Sequence, residues 1–227
     1  MSILIGIFVI IFVLYLIKGK VKIDIRSFFR RSLPLDRGKF GVYCFTGKQG
    51  TGKTYGLVKF ILRNKFYRTS DYKIYSNVTL TGIEYTKIND LDHLLSLRNV
   101  KNCFIIFDEI FTLISKTRKV DRMKGADLEE FLSQMRKQKN IFMTTAQEWL
   151  NLDIEFRRYV RIQIECKTIP LGKLGGIFIE SYFDTTQIKW SNELNEYESP
   201  LVDQKISKYE KQIMLSYDTN ERIKPLK

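Results

Sequence analysis

The 227-residue chain is poor in the residues that build disulfide frameworks and zinc sites. It holds three cysteines and one histidine, His93, and no C-x-x-C pair occurs. The cysteines are far apart, and two of them lie inside apolar runs. These shortages argue against a disulfide scaffold and against a Cys/His metal site, and they fit a reducing cytosolic compartment. The chain also lacks internal repeats and low-complexity segments.

Acidic residues are outnumbered, with 25 Asp and Glu against 38 Lys and Arg, so the formal net charge is +13. Such a charge favours an anionic partner, either nucleic acid or acidic lipid, although a lysine-rich surface drawn from AT-rich codons gives the same balance. Hydrophobic residues make up 44% and aromatic residues 13% of the chain, which excludes a largely disordered protein. The length suits one sizeable α/β core with short appendages.

One long uncharged run lies at the N-terminus, where residues 3–17 read ILIGIFVIIFVLYLI. With the two residues before it, the run spans about 25 Å as a helix, slightly less than the hydrocarbon core of a bilayer. A cleaved signal peptide is the alternative, but a basic n-region and a small-x-small cleavage site are both missing. Basic residues follow at once: Lys18, Lys20, Lys22, Arg26, Arg30 and Arg31. We therefore expect residues 1–18 to be a single-pass membrane anchor, with the rest of the chain cytoplasmic.

After a basic juxtamembrane linker, residues 19–37, the pattern changes to alternating strands and helices. Strands are predicted at 40–46, 73–78, 102–110 and 141–145, helices at 53–64, 90–97 and 126–139, and a hairpin from 161–166 and 177–183. This alternation predicts a mostly parallel sheet covered on both faces. The main α/β domain is expected at residues 38–190. The tail, residues 191–227, is expected to pack on that domain or extend it, with a helical stretch near 201–215.

A glycine-rich loop follows the first predicted strand and precedes a helix. Residues 47–54 read GKQGTGKT and fit the pattern G-x-x-x-x-G-K-[ST], the P-loop. Its backbone N–H groups and the helix N-terminus suit nucleotide phosphates. Lys53 is expected to reach the β- and γ-phosphates, and Thr54 to hold Mg²⁺. The predicted nucleotide ligands are Gly47, Lys48, Gln49, Gly50, Thr51, Gly52, Lys53 and Thr54. The alternative is a glycine-rich turn with an incidental Lys-Thr pair.

Two carboxylates end the most apolar predicted strand. Asp108 follows FIIF and is a candidate ligand of Mg²⁺, while Glu109 beside it can polarise an attacking water as a general base. The next strand ends in TTAQ, which makes Gln147 a candidate sensor of the γ-phosphate. Switch GTPases need an N-K-x-D that the chain lacks, and small-molecule kinases usually need a basic lid. The pair therefore favours ATP hydrolysis, although two solvated carboxylates at a strand end are the plainer reading.

With these elements in order, the chain resembles the FtsK–HerA superfamily of DNA-pumping ATPases, and within it the zonula occludens toxin-like family. The resemblance is carried by FLSQMRKQKNIFMTTAQEWLNLDIEFRRYVRIQIE, residues 131–165, and by SYDTNE, residues 216–221. It implies a RecA-like (ASCE) P-loop NTPase that works as a homo-oligomeric ring, usually a hexamer. It also implies nucleotide, metal, base and sensor roles for Lys53, Thr54, Asp108, Glu109 and Gln147. Familiar filamentous-phage assembly proteins differ, because they place the membrane span after the ATPase domain.

The resemblance further implies an arginine supplied to each site by the neighbouring subunit. The candidates are Arg136, Arg157 and Arg158, any of which can instead be an ordinary surface arginine. A basic stretch after the two carboxylates is the candidate for non-specific DNA contacts, with a solvated basic loop as the alternative. Its residues are Lys116, Arg118, Lys119, Arg122 and Lys124.

The sequence thus predicts a membrane-anchored ATPase that uses ATP and Mg²⁺ to translocate DNA. The expected setting is phage virion assembly, extrusion or genome packaging, with viral structural or assembly proteins as partners. A conjugative coupling ATPase shares the layout. Two other classes stay open: a membrane-bound scaffold switched by nucleotide, and a P-loop kinase that acts on a small molecule.

Overall fold

A computed structural model describes most of the chain from residue 40 onward and short pieces before it. The described residues are 6–7, 10–11, 14, 21–23, 40–63, 72–110, 122–150, 152–171, 175–187, 189–191 and 196–218. The predicted anchor therefore lies largely outside them. Its described residues, 6–7, 10–11 and 14, are helical, and the apolar side chains among them are exposed. Among the residues that the structure describes, no helix has the length and apolar character needed to cross a membrane.

The described residues contain eleven strands: β1 (Val21–Ile23), β2 (Gly41–Thr46), β3 (Lys73–Ser76), β4 (Thr86–Lys87), β5 (Cys103–Phe107), β6 (Ile141–Ala146), β7 (Val160–Pro170), β8 (Gly176–Asp184), β9 (Lys189–Ser191), β10 (Glu196–Glu198) and β11 (Leu201–Lys208). Nine of them form the main sheet, in the order β1-β11-β8-β7-β2-β6-β5-β3-β4. Strands β9 and β10 form a separate antiparallel pair. From β7 to β4 all neighbours in the main sheet are parallel, whereas β8 is antiparallel to β7 and β11. The predicted α/β fold with a mostly parallel sheet is confirmed.

Five α-helices lie in the described part of the chain from residue 40 onward. They are α1 (Lys53–Arg63), α2 (Leu91–Ser96), α3 (Arg122–Gln134), α4 (Ile154–Tyr159) and α5 (Lys211–Met214), with a 3₁₀ turn at Leu97–Asn99. Asp90 caps α2 as predicted, because its carboxylate accepts a hydrogen bond from the backbone N–H of His93 at 2.6 Å.

The central strands are buried on both faces, as their near-continuous apolar sequences predict. Alternate residues of β5 enter two different cores: Ile105 packs with α2, α3 and α4, and Ile106 packs with α1 and the C-terminal segment. On the first face, Phe131 of α3 meets Phe142 of β6 edge to face, with ring centroids 5.6 Å apart. The sheet is therefore held between two helical layers.

The tail differs from the prediction of a helix near residues 201–215. Strand β11 occupies Leu201–Lys208 and pairs with β8 over its whole length, and only Lys211–Met214 is helical. The prediction was wrong because the segment has no decisive local period, and pairing with a distant strand decides its conformation. The predicted hairpin is confirmed as β7 and β8. The boundaries 1–18, 19–37, 38–190 and 191–227 stay predictions.

Candidate active site

The glycine-rich loop joins the end of β2 to the start of α1, as the sequence predicts. Gly47 has a φ of 144° and Gly52 a φ of 88°, a region that side chains rarely adopt. A Cβ at Gly47 would also lie 2.8 Å from the carbonyl oxygen of Cys166 on β7. At Gly52 it would lie 2.9 Å from Oγ1 of Thr168. Both glycines are needed because the loop passes tightly over β7.

The side chains of the loop are arranged around one carbonyl group. Lys53 Nζ donates a hydrogen bond to the carbonyl oxygen of Lys48 at 3.1 Å, and Thr51 Oγ1 donates to the same oxygen at 2.8 Å. The ammonium group of Lys53 therefore lies across the loop at the start of α1. From this position it can reach phosphate groups that the loop N–H groups bind.

Thr54 and Asp108 meet at the centre of the site. The hydroxyl group of Thr54 donates a hydrogen bond to Oδ2 of Asp108 at 2.9 Å. Asp108 is 7% exposed, so little water competes for its carboxylate. A hydroxyl and a carboxylate oxygen side by side match the oxygen ligands that Mg²⁺ prefers. The residues present thus fit a magnesium ion bound together with phosphates.

Asp108 is fixed by two residues that the sequence did not single out. Asn77, at the end of β3, accepts from the backbone N–H of Asp108 at 2.8 Å and donates to its carbonyl oxygen at 3.1 Å. Thr145, near the end of β6, donates its hydroxyl hydrogen bond to Oδ1 of Asp108. The ends of β3 and β6 therefore fix Asp108 between them, β3 through its backbone and β6 through its carboxylate. A polar residue at the end of each strand is the signal that could have identified them.

Glu109 has an unusual backbone conformation. Its φ is 56°, in the left-handed region that costs a side-chain-bearing residue about 1 kcal/mol or more. Its backbone N–H donates to Oδ1 of Asp108 at 3.1 Å and to Oγ1 of Thr145 at 3.0 Å. The side chain is exposed, whereas that of Asp108 is buried. The strained turn sends the two carboxylates of the D-E pair in different directions.

A cavity of about 630 Å³ lies between the loop, the end of β5 and the C-terminal segment. The loop from Gln49 to Thr54 forms one wall, and Asp108, Glu109 and Thr145 form another. Tyr209, Tyr217 and Asp218 line its C-terminal side. Its size is within the range of small-molecule sites. The sequence prediction missed the two tyrosines, although Tyr217 and Asp218 lie in the SYDTNE stretch.

The phenol groups of this cavity stay neutral well above neutral pH. Burial raises the pKa of Tyr217, and the nearby Tyr209, Tyr55 and Asp108 raise it further. Burial likewise is the main reason that the pKa of Tyr55 is raised. The cavity therefore offers neutral hydroxyl groups at its C-terminal wall and carboxylates at its β5 wall.

Gln147 lies on the other side of the loop from this cavity. Its backbone carbonyl oxygen accepts a hydrogen bond from the backbone N–H of Gly47 at 3.3 Å. With Gln163 and Glu165 of β7 it lines a second cavity of about 460 Å³. Gly47 and Lys48 of the loop also line this second cavity. Gln147 is thus next to the loop, while Thr145 makes the contacts to Asp108 and Glu109.

The three candidate arginines lie near the amino-terminal ends of β2 and β7, opposite the ends that carry the loop. Cγ of Arg136 would be 3.3 Å from a Cβ at Gly41, the first residue of β2. Arg157 and Arg158 belong to α4, which leads into β7 where Val160 is paired with Val42. The length of β2 separates these ends from the loop by roughly 17 Å. None of the three therefore lies beside the glycine-rich loop of this chain.

The candidate DNA-binding residues are mostly outside the described part of the chain. Lys116, Arg118 and Lys119 lie outside the described residues. For Arg122 and Lys124, the structure describes only their place in α3.

Comparison with solved structures confirms the predicted resemblance at the level of the fold. The N-terminal domain of zonular occludens toxin from Neisseria meningitidis matches with a TM-score of 0.53 and 16% identity, over 80% of this chain and 100% of that one. The genome packaging NTPase B204 from Sulfolobus turreted icosahedral virus 2, in complex with ATP-gammaS, matches with a TM-score of 0.45 and 11% identity, over 71% of this chain and 98% of that one. The Legionella pneumophila ATPase DotB matches at 0.44 and 14%, over 70% of this chain and 48% of that one.

A search of curated proteins gives no significant match. A family model, however, matches residues 43–168, which is more than half of the chain. The matched region contains the glycine-rich loop, the D-E pair and Gln147. The model describes the ATPase family associated with various cellular activities (AAA), and the chain belongs to that family.

Proposed function

We propose that the protein hydrolyses ATP and couples hydrolysis to the movement of DNA at a membrane. The proposal of hydrolysis rests on one observation: Thr54, Asp108 and Glu109 surround one cavity beside the loop. A buried metal-ligand pair and an exposed carboxylate next to it suit activation of water. A small-molecule kinase needs no such base.

The chain's own residues divide the work of hydrolysis. The loop N–H groups and Lys53 bind and orient the phosphates, and Thr54 with Asp108 holds Mg²⁺. When bound, the metal neutralises charge on the β- and γ-phosphates. Glu109 takes a proton from the attacking water, whose oxygen forms a bond to the γ-phosphorus while the bond to the β-phosphate oxygen breaks. The products are ADP and phosphate, and the proton rests on Glu109.

Thr145 and Asn77 are positioning residues in this scheme. Thr145 bonds to both Asp108 and the N–H of Glu109, so it fixes the angle between metal ligand and base. Asn77 clamps the backbone of Asp108 from the other side. The β6 strand that carries Thr145 lies between β2 and β5, which supports the RecA-like form of the fold.

Movement of DNA is supported by charge and by the sequence resemblance. The net charge of +13 suits a phosphate backbone, and the stretch from Lys116 to Lys124 joins the catalytic strand to α3. We propose that a homo-oligomeric ring, a hexamer in the resemblance, encloses the DNA. Arg136, Arg157 or Arg158 then completes the site of the next subunit, which suits their place away from their own loop. Residues 1–18 anchor the ring to the host cell membrane, and viral assembly proteins receive or supply the DNA.

The test is ATP turnover by the full chain with and without DNA, over a range of salt concentrations. A translocase predicts turnover that DNA stimulates and that added salt suppresses steeply, since basic contacts release counterions. Lys53→Ala should abolish turnover under every condition. Turnover that is indifferent to DNA would contradict the pump and favour a nucleotide-switched scaffold. Turnover that requires an added phosphate acceptor would indicate a kinase.

A further inference from the structure

An aromatic stack borders the candidate nucleotide cavity. Tyr55, the residue after the metal ligand Thr54, is fully buried, and its ring is stacked on that of Tyr209 with centroids 4.0 Å apart and planes 19° apart. Phe178 meets Tyr55 edge to face at 4.8 Å. Tyr209 itself is half-buried and lines the cavity. One face of its ring is thus covered by Tyr55, while the exposed part of the side chain borders the space next to the loop.

Hydrogen bonds of two successive backbone N–H groups fix the chain at Tyr209. Its own N–H donates to the carbonyl oxygen of Gly176 at 2.8 Å. The N–H of the next residue, Glu210, donates to the hydroxyl oxygen of Tyr55 at 2.9 Å. The carboxylate of Glu210 forms a buried ion pair with Arg63, at the end of α1. A side chain held in this way loses little conformational entropy when a ligand binds it.

We propose that Tyr209 binds the base of the nucleotide by stacking, so that Tyr55, Tyr209 and the base form a continuous column. The inference rests on the proposed function, since it assigns the base end of the same nucleotide. The loop and Thr54 bind the phosphates, and α1 connects them to the stack because Tyr55 follows Thr54 directly. Stacking makes use of the π-face of any base and favours a purine through its larger area.

The test compares two ligands that differ in the base. ATP carries phosphates and a base, whereas inorganic tripolyphosphate carries phosphates alone. Calorimetric titration of the full chain with each ligand, in the presence of Mg²⁺, gives a Kd for both. A non-hydrolysable analogue that keeps the base and the three phosphates is used in place of ATP, so that the heat reports binding and not turnover. Replacing Tyr209 by Leu should weaken ATP binding by about tenfold or more, the effect expected of one lost base stack, and leave tripolyphosphate binding within twofold. Tyr209→Phe keeps the ring and should retain most of the ATP affinity that Tyr209→Leu loses.

A second variant keeps the test decisive if Tyr209→Leu fails to fold. Tyr209→Trp retains a stacking ring and adds a fluorophore at the site. ATP should quench its additional fluorescence relative to the original protein, and tripolyphosphate should not. Tyr159→Leu, in a half-buried tyrosine of α4 at the other edge of the sheet, is the matched control and should leave both affinities unchanged.

Three outcomes would overturn the proposal. One is ATP binding that Tyr209→Leu leaves intact. Another is an equal loss of affinity for ATP and tripolyphosphate, which would make Tyr209 a structural support of the loop. The last is equal quenching of Tyr209→Trp by both ligands. If the original protein binds neither ligand, the nucleotide site itself is refuted, a result distinct from the first three.

Discussion

The hydroxyl group of Thr54 lies 2.9 Å from Oδ2 of Asp108, although 54 residues separate the two in the chain. Thr54 is the second residue of α1, which follows β2, and Asp108 comes directly after β5, with β6 between the two strands. Their meeting depends on the order of the strands, because the carboxyl ends of parallel strands lie at one edge of the sheet. This contact defines where a metal and the terminal phosphates fit.

Removal of the Thr54 hydroxyl should weaken the response of the enzyme to magnesium. In Thr54→Ala, we expect the Mg²⁺ concentration that gives half-maximal ATP turnover to rise by about 10- to 100-fold, since one oxygen ligand is lost. Thr54→Ser keeps the hydroxyl group and should respond nearly as the original protein does. An unchanged magnesium dependence in Thr54→Ala would refute this metal site.

The backbone strain at Glu109 predicts a gain in stability at the expense of activity. Glu109→Gly removes the side chain from a φ of 56° and should raise the free energy of unfolding by up to about 1 kcal/mol, while turnover is lost. Urea denaturation measures the change. Glu148→Gly is the control, because Glu148 is exposed and does not have a positive φ. Equal destabilisation by both variants would contradict the strain.

A buried ion pair ties α1 to the antiparallel end of the sheet. Lys59 Nζ lies 2.6 Å from Oε2 of Glu180 and also donates to Ser207 at 2.7 Å. Lys59→Met should reduce the free energy of unfolding by about 3–5 kcal/mol, because it leaves a buried carboxylate alone. The double variant with Glu180→Leu should recover most of that loss. A double variant no more stable than Lys59→Met alone would show that the pair is not the source of the cost.

The exposed ion pair between Arg158 and Glu155, at 2.7 Å, is the matched control for the buried one. The side chains of Arg158 and Glu155 are 67% and 47% exposed, so Arg158→Ala should change the free energy of unfolding by less than about 1 kcal/mol.

The buried tyrosines predict a loss of stability in alkali. In the folded protein the pKa of Tyr217 is raised above its ordinary value of 10, so unfolding releases its proton at pH values above 10. Stability is therefore complete below pH 10 and falls as the pH rises further, by about 1.4 kcal/mol per pH unit for each such tyrosine. Tyr217→Phe should reduce the slope of this decline by the contribution of one tyrosine. The same slope in both proteins, measured by urea denaturation, would contradict the burial of the phenol.

Local sequence was enough to predict the loop, the D-E pair and the helix that Asp90 caps. Each of these depends on residues that are close together in the chain. Local sequence was not enough for Asn77, Thr145 and Tyr209, whose roles arise from contacts across the sheet. The same reason explains the error in the tail. Residues 201–208 can form either a helix or a strand, and pairing with β8 decides between them.

The most direct test of the account compares ATP binding and ATP turnover in Glu109→Gln. The substitution keeps the shape of the side chain and removes its ability to accept a proton. The account predicts that the Kd for ATP stays within a few-fold, while turnover falls by at least about 100-fold, the effect of a lost general base. Glu148→Gln, at the end of the adjacent strand, should turn over ATP normally. Turnover in Glu109→Gln within about threefold of the original protein would show that Glu109 is not the base.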